Sequence, residues 1–339
     1  MNPIMNPISY VSSLVYGTND GKIQSGINKA IANLKEQFDG ETQSEALQER
    51  DSEAAGKIDA LYQEHPHQLI AALKQQDPPL LGEAIKAGFN EVAKTLLKLV
   101  PSDIEGRDES RKTPLILAAE SGNKPIFEAL LRAGASVHAT DARGCTALIW
   151  AAMTGILDFV RSLFGAGAIQ IVDAQDNAGN TALMAAISRG HLDIATMLIT
   201  EGQANVSLVN HAGDTALSLA TERGDTDLID PLCASGADVN APDPEGLSPL
   251  IRAIQAGNLK MIVALVLNGA DVNVRDRDKR TVPYYLVTYK ESFSDGQYGR
   301  AFVWLGVAAL RAMGDKAAME LMALHEFGWM NGRTQAAYG

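Results

Sequence analysis

The chain has 339 residues, 46% hydrophobic and 21% charged, enough apolar content to bury a large core and too few charges for a chain unfolded throughout. Its 41 Asp plus Glu outnumber 29 Lys plus Arg, and the net charge of −12 repels phosphate backbones, so nucleic acid is disfavoured and a protein or peptide partner is expected. Two cysteines, Cys145 and Cys233, lack CxxC spacing in a chain too large to need a staple, so they read as ordinary thiols of a reducing compartment.

The opening MNPIMNPISYVSSLVYG has no basic segment, and prolines and serines interrupt its apolar run, so it does not read as a secretory signal. No window approaches the roughly 18 uncharged apolar residues that a membrane span requires. A cytoplasmic protein is the expectation; delivery into another cell without a cleaved signal would leave no mark here. Residues 22–37 and 68–76 carry helical patterning, whereas 39–58, polar and acid-rich, reads as an exposed helix or linker. Residues 1–76 are thus expected to form an N-terminal helical, acidic flank.

A repeat then takes over. TPL at Thr113, TAL at Thr146, Thr181 and Thr215, SPL at Ser248 and a degraded TVP at Thr281 follow one another at offsets of 33, 35, 34, 33 and 33. Nine positions after each of the first five comes a glycine: Gly122, Gly155, Gly190, Gly224 and Gly257. The hydroxyl at each start supplies an N-cap acceptor, and glycine tolerates the left-handed conformation that stops a short helix. A second amphipathic run follows, as in LKMIVALVLNG, where Leu259, Ile262, Val263 and Val266 share one stripe. Gly, Asn and Asp clusters, such as GADV from Gly236 and from Gly269, then predict an extended turn.

That order and period resemble the ankyrin repeat, with its TPLHxA phrase at a 33-residue spacing. The resemblance is strong over 111–279 and weak over 77–110. It implies an all-α ankyrin-repeat solenoid of helix-turn-helix units with projecting β-turns. An array of about six repeats over 77–280 is expected, the first degenerate, with a C-terminal helical cap over 281–339. The family's His after TPL is absent: Ile116, Ile149, Met184, Ser218, Ile251 and Tyr284 stand there, so the turns are expected to lean more on packing.

Chemistry-bearing constellations are sparse. No HExxH, GxSxG, GxxxxGKS/T or GxGxxG occurs, and His65 and His67 flank Pro66 with no third ligand, so no catalytic residue, cofactor or metal is expected. The resemblance implies that binding uses the projecting turns and the inner face of each repeat's first helix. Carried onto this sequence, that surface includes Lys112, Arg143, Met153, Asn177 and Arg189. It continues through His211, Glu222 and Arg223 to the basic stretch Arg275, Arg277 and Arg280. Trp150, unusually large for its helix and of a type enriched at binding hot spots, joins the set, with a place in the core as the equal alternative. The functional expectation is a non-enzymatic, monomeric protein-interaction module acting as adaptor, inhibitor or delivered effector. An enzyme with catalytic residues in the flanking helices, its repeats selecting substrate, is the alternative.

Overall fold

Hydroxyl side chains set the starts of five of the repeat helices. In the computed structural model, which describes residues 20–38, 44–77, 79–294 and 296–312, the Oγ1 of Thr113, Thr146, Thr181 and Thr215 and the Oγ of Ser248 accept the backbone N–H three residues on. These bonds satisfy donors that a helix start otherwise leaves orphaned. Thr281, the degraded start, makes no such bond.

The chain divides into two compact units, Met1–Ile171 and Val172–Gly339. Unit one opens with α1 (Asp20–Phe38), α2 (Ser44–Glu64) and α3 (Pro66–Lys74). Helix pairs follow: α4 (Leu80–Lys86) with α5 (Asn90–Leu99), α6 (Pro114–Ser121) with α7 (Lys124–Arg132), and α8 (Ala147–Thr154) with α9 (Leu157–Gly165). First helices pack on first helices (α4 on α6 on α8) and second on second (α5 on α7 on α9). Phe127 and Phe159 stack across α7 and α9 with ring centroids 4.0 Å apart.

Unit two repeats the pattern: α10 (Ala182–Arg189) with α11 (Leu192–Thr200), α12 (Ala216–Arg223) with α13 (Ile229–Ala234), α14 (Pro249–Gln255) with α15 (Leu259–Leu267), and α16 (Val282–Thr288) with α17 (Gln297–Ala312). Here α10, α12, α14 and α16 form one packed row and α11, α13, α15 and α17 the other. Each short helix buries an apolar stripe that it could not bury alone, which is why the period persists.

The repeat glycines adopt φ between 62° and 79°, the left-handed region expected of them. Gly257 shows the second reason for a missing side chain: a Cβ there would lie 2.0 Å from the Ser292 carbonyl oxygen. The projecting turns close on isolated antiparallel bridges (Thr140 with Thr146, Val209 with Thr215, Arg275 with Thr281), and no strand occurs among the described residues.

One expectation needs correction. Residues 44–64 form a 21-residue helix with a buried side and not an exposed or linker segment: Asp51, Ala54, Ala55 and Ile58 are all buried. The stripe of Leu47, Asp51, Ala54 and Ile58 has helical spacing, but a carboxylate occupies one of its positions and disguises it as polar. Asp51 Oδ2 and Oδ1 accept the N–H groups of Glu91 (2.7 Å) and Val92 (2.9 Å), so α2 caps the start of α5 from some 40 residues away. The second helix expected beyond Gly314 lies outside the described residues.

Candidate functional site

Each projecting turn is built around one Asp or Asn. Oδ1 of Asp141 accepts the N–H of Arg143 and of Cys145; Asp176, Asn210 and Asp243 each do the same for the residues two and four positions on. These side chains mimic backbone acceptors and fix the turn, a role for which Asp and Asn are suited.

The second oxygen reveals what replaces the missing histidine. The Trp150 indole N–H donates to Asp141 Oδ2 at 3.0 Å, the Arg252 guanidinium to Asp243 Oδ2, and the Tyr285 hydroxyl to Asp276 Oδ2. All three donors stand four residues after the Thr or Ser that starts their helix. Helix and turn are therefore tied by hydrogen bonds at these three repeats, and the expectation that the turns lean mainly on packing holds less well there. At Asp276, burial pushes the carboxyl pKa up. The Tyr285 hydroxyl, the turn's N–H groups and Arg280 outweigh that and hold it below the ordinary carboxylate value. Asp108 is similar: burial raises it, but the Lys86 ammonium 2.6 Å away and the N–H groups of its turn pull it lower still.

In unit one the expected residues come together around Trp150. Trp150 is buried, at 8% exposure, and presents little surface of its own. The Lys112 ammonium lies over its ring 4.6 Å from the centroid, and the Arg143 guanidinium carbon 4.7 Å away. Lys112 is half-buried, with Nζ on both Glu120 oxygens at 2.6 and 2.7 Å; Arg143 is exposed, and Met153 is half-buried on the following turn of α8.

In unit two, Asn177 and His211 are exposed at adjacent turn tips, joined by the His211 N–H to the Ala178 carbonyl at 2.9 Å. Arg189, Glu222 and Arg223 are exposed in the last turns of α10 and α12. Arg223 is engaged, donating to the Ser188 carbonyl at 3.2 Å and pairing with Asp225 at 2.9 Å. The basic tip is engaged too. Arg277 donates to the Pro244 carbonyl at 2.9 Å, Arg280 pairs with Asp278 at 2.9 Å, and Arg275 donates to the Lys279 carbonyl at 3.3 Å.

A groove of about 280 Å³ lies between α12 and α14, lined among others by Asp214, Ser218, Thr221, Glu222, Asp243 and Arg252. Of these six, Asp214 and Glu222 lie on the surface that the repeat alignment marks for partner binding. Arg252 was discoverable, since it occupies the same register as Trp150 and Tyr285. Among the described residues, no three His, Cys, Asp or Glu side chains converge to hold a metal, and no helix is long and apolar enough to cross a membrane.

A family model of ankyrin repeats matches residues 57–141, 133–210 and 202–276. The chain belongs to the ankyrin-repeat family. This ankyrin-repeat chain is 36% identical over 88 residues to the mouse ankyrin repeat domain-containing protein 63, a match covering 25% of the chain and 22% of that protein. It is 28% identical over 126 residues to the Caenorhabditis elegans ankyrin repeat and KH domain-containing protein mask-1, covering 37% of the chain. The match spans 5% of that much longer protein. Among solved structures it resembles the ankyrin repeat domain of Bcl-3, with a TM-score of 0.56 at 25% identity, over 67% of this chain and 98% of that one.

Proposed function

We propose that this ankyrin-repeat chain is a non-catalytic, monomeric module of a reducing, cytoplasmic environment that captures a protein or peptide through its projecting turns and the exposed ends of its first helices. The observation that carries this reading is the contrast between fixed backbone and uncommitted side chains. Asp, Asn and turn-to-turn hydrogen bonds hold the turns in place. Arg189 and Glu222, exposed in the last turns of α10 and α12, form no ion pair or side-chain hydrogen bond among the described residues. A binding surface whose backbone is already ordered loses less conformational entropy on association, so its polar contacts translate into affinity more fully. Ankyrin repeats in general serve protein interaction, which is the family-level support. Which role it plays, adaptor, inhibitor or delivered effector, follows from the partner.

The test is capture from the native cell by the full chain and by the double variant Arg189→Glu, Glu222→Arg. Charge complementarity acts mainly on encounter and specificity, so reversing two exposed charges should reduce capture of the cognate partner by about tenfold. Because neither residue supports the fold, the melting temperature should move by less than about 1 °C. Equal capture by the two proteins would remove this surface from the proposal.

A further inference from the structure

Two cations lie over the Trp150 ring, and they are not equivalent. Lys112 is closed off by Glu120, which takes its ammonium with both oxygens. Arg143 is exposed, and among the described residues its guanidinium makes no ion pair and no hydrogen bond; its carbon lies over the indole face, 4.7 Å from the ring centroid. The platform beneath it is rigid. The indole N–H is bonded to Asp141, Asp141 is 5% exposed, and the same carboxylate accepts the backbone N–H of Arg143. The backbone of Arg143 is thus held by Asp141 and its guanidinium lies over the ring that Asp141 holds. A guanidinium stacked on a ring keeps its N–H donors directed outward in its own plane, and two parallel donors match the two oxygens of a carboxylate. Burying Trp150 is therefore compatible with a binding role, carried by the arginine it orients.

Three nearby carboxylates are already engaged, and Glu109 of the preceding turn is exposed. Asp141 is occupied by its turn and the indole, Glu120 by Lys112, and Asp108 by Lys86. A second cation, Arg107, reaches the same turn and donates to the Thr140 carbonyl at 2.7 Å. The basic tip near Arg280, the more obvious acidic-partner site in the sequence, has its guanidinium groups committed to Asp278 and to backbone carbonyls.

We infer that Arg143, held on Trp150, is a preorganised receptor for a side-chain carboxylate in an acidic segment of a partner protein. This rests on the binding reading above and names the chemistry of the partner at unit one's turns. The probe is an N-acetylated, fluorescently labelled hexaglutamate peptide titrated into the full chain at low salt, with hexaglutamine as the neutral control. Saturable binding of hexaglutamate and none of hexaglutamine is expected. Arg143→Glu should weaken it by about tenfold or more, and Arg143→Lys by about threefold or more, since lysine keeps the charge but not the planar fork. Arg275→Glu should stay within about twofold of the parent. Trp150→Phe risks the fold by stripping Asp141 of a donor, so the exposed Arg143 variants, checked for an unchanged melting temperature, carry the test. Equal binding by the parent and Arg143→Glu, or full retention by Arg143→Lys, would overturn the assignment. Displacement of the peptide by inorganic phosphate at lower concentration than by glutamate would overturn it in favour of a phosphate site. Loss of the assignment together with intact dependence of partner capture on Arg189 and Glu222 leaves the binding reading standing; loss of both removes both.

Discussion

The tie between helix and turn is made by single side chains, and its contribution is measurable one residue at a time. Trp150 donates to an Asp141 carboxylate that is 5% exposed, so Trp150→Phe keeps most of the apolar contact and leaves one buried oxygen without its donor. Leaving such a group unsatisfied costs about 1–3 kcal/mol, which urea unfolding at neutral pH resolves. An unchanged midpoint would mean that the bond contributes nothing. The turn carboxylates also set a pH dependence. Asp108 and Asp276 both have pKa values below the ordinary carboxylate value, so the folded state holds the charged forms more tightly than the unfolded state does. Their contribution is complete above about pH 5 and is lost as the pH falls through about 4 and below. Tyr285→Phe should make stability less sensitive to acid over that interval, and an unaltered acid dependence would count against the role given to the Asp276 bond. None of this was legible from the missing histidine alone. The replacement donor sits one residue later and is Trp, Arg or Tyr in different repeats, so no single residue type marks the position.

At the scale of the element, the fold was readable because a helix of two turns needs few instructions and repeats them. The Thr or Ser start, the glycine nine residues on and the apolar stripe between them each report the same boundary, and the structure places caps and left-handed residues there. What escaped was the buried side of α2, where Asp51 and small alanines share the stripe with Leu47 and Ile58. The glycines allow a quantitative check. Gly236, at φ 95°, has no atom within 4 Å of an added Cβ, so Gly236→Ala carries only the left-handed penalty, roughly 1–2 kcal/mol. Gly257, at φ 62°, would in addition drive its Cβ against the Ser292 carbonyl, which belongs to the backbone and cannot rotate aside. Gly257→Ala should therefore destabilise the protein by at least about twice as much as Gly236→Ala in thermal unfolding. Equal losses would show that the segment at Ser292 yields without resistance.

At the scale of the molecule, the question is whether the N-terminal helices belong to the same cooperative structure as the repeats of unit one. The start of α5 needs outside help, since Phe89, the residue before it, has no side-chain acceptor and the first N–H groups of a helix have no partner of their own. Asp51 supplies both oxygens to them, and its negative charge also complements the positive end of the helix. Ile27, Ile31 and Leu34 of α1 and Ala54 and Ile58 of α2 are buried, and Lys35 of α1 pairs with Glu83 of α4 at 3.5 Å. Asp51→Ala removes the cap while leaving the packing, at a cost of about 1–2 kcal/mol. Deleting residues 1–64 removes both, so it should lower the unfolding midpoint further than the point variant and expose the apolar side of unit one to a hydrophobic dye. Asp51→Asn, which keeps an acceptor but loses the charge, should fall between the parent and Asp51→Ala. A deleted chain that melts where the full chain does would show that α1 and α2 only rest against the repeats, and the cap supplied by Asp51 would then carry no weight in folding.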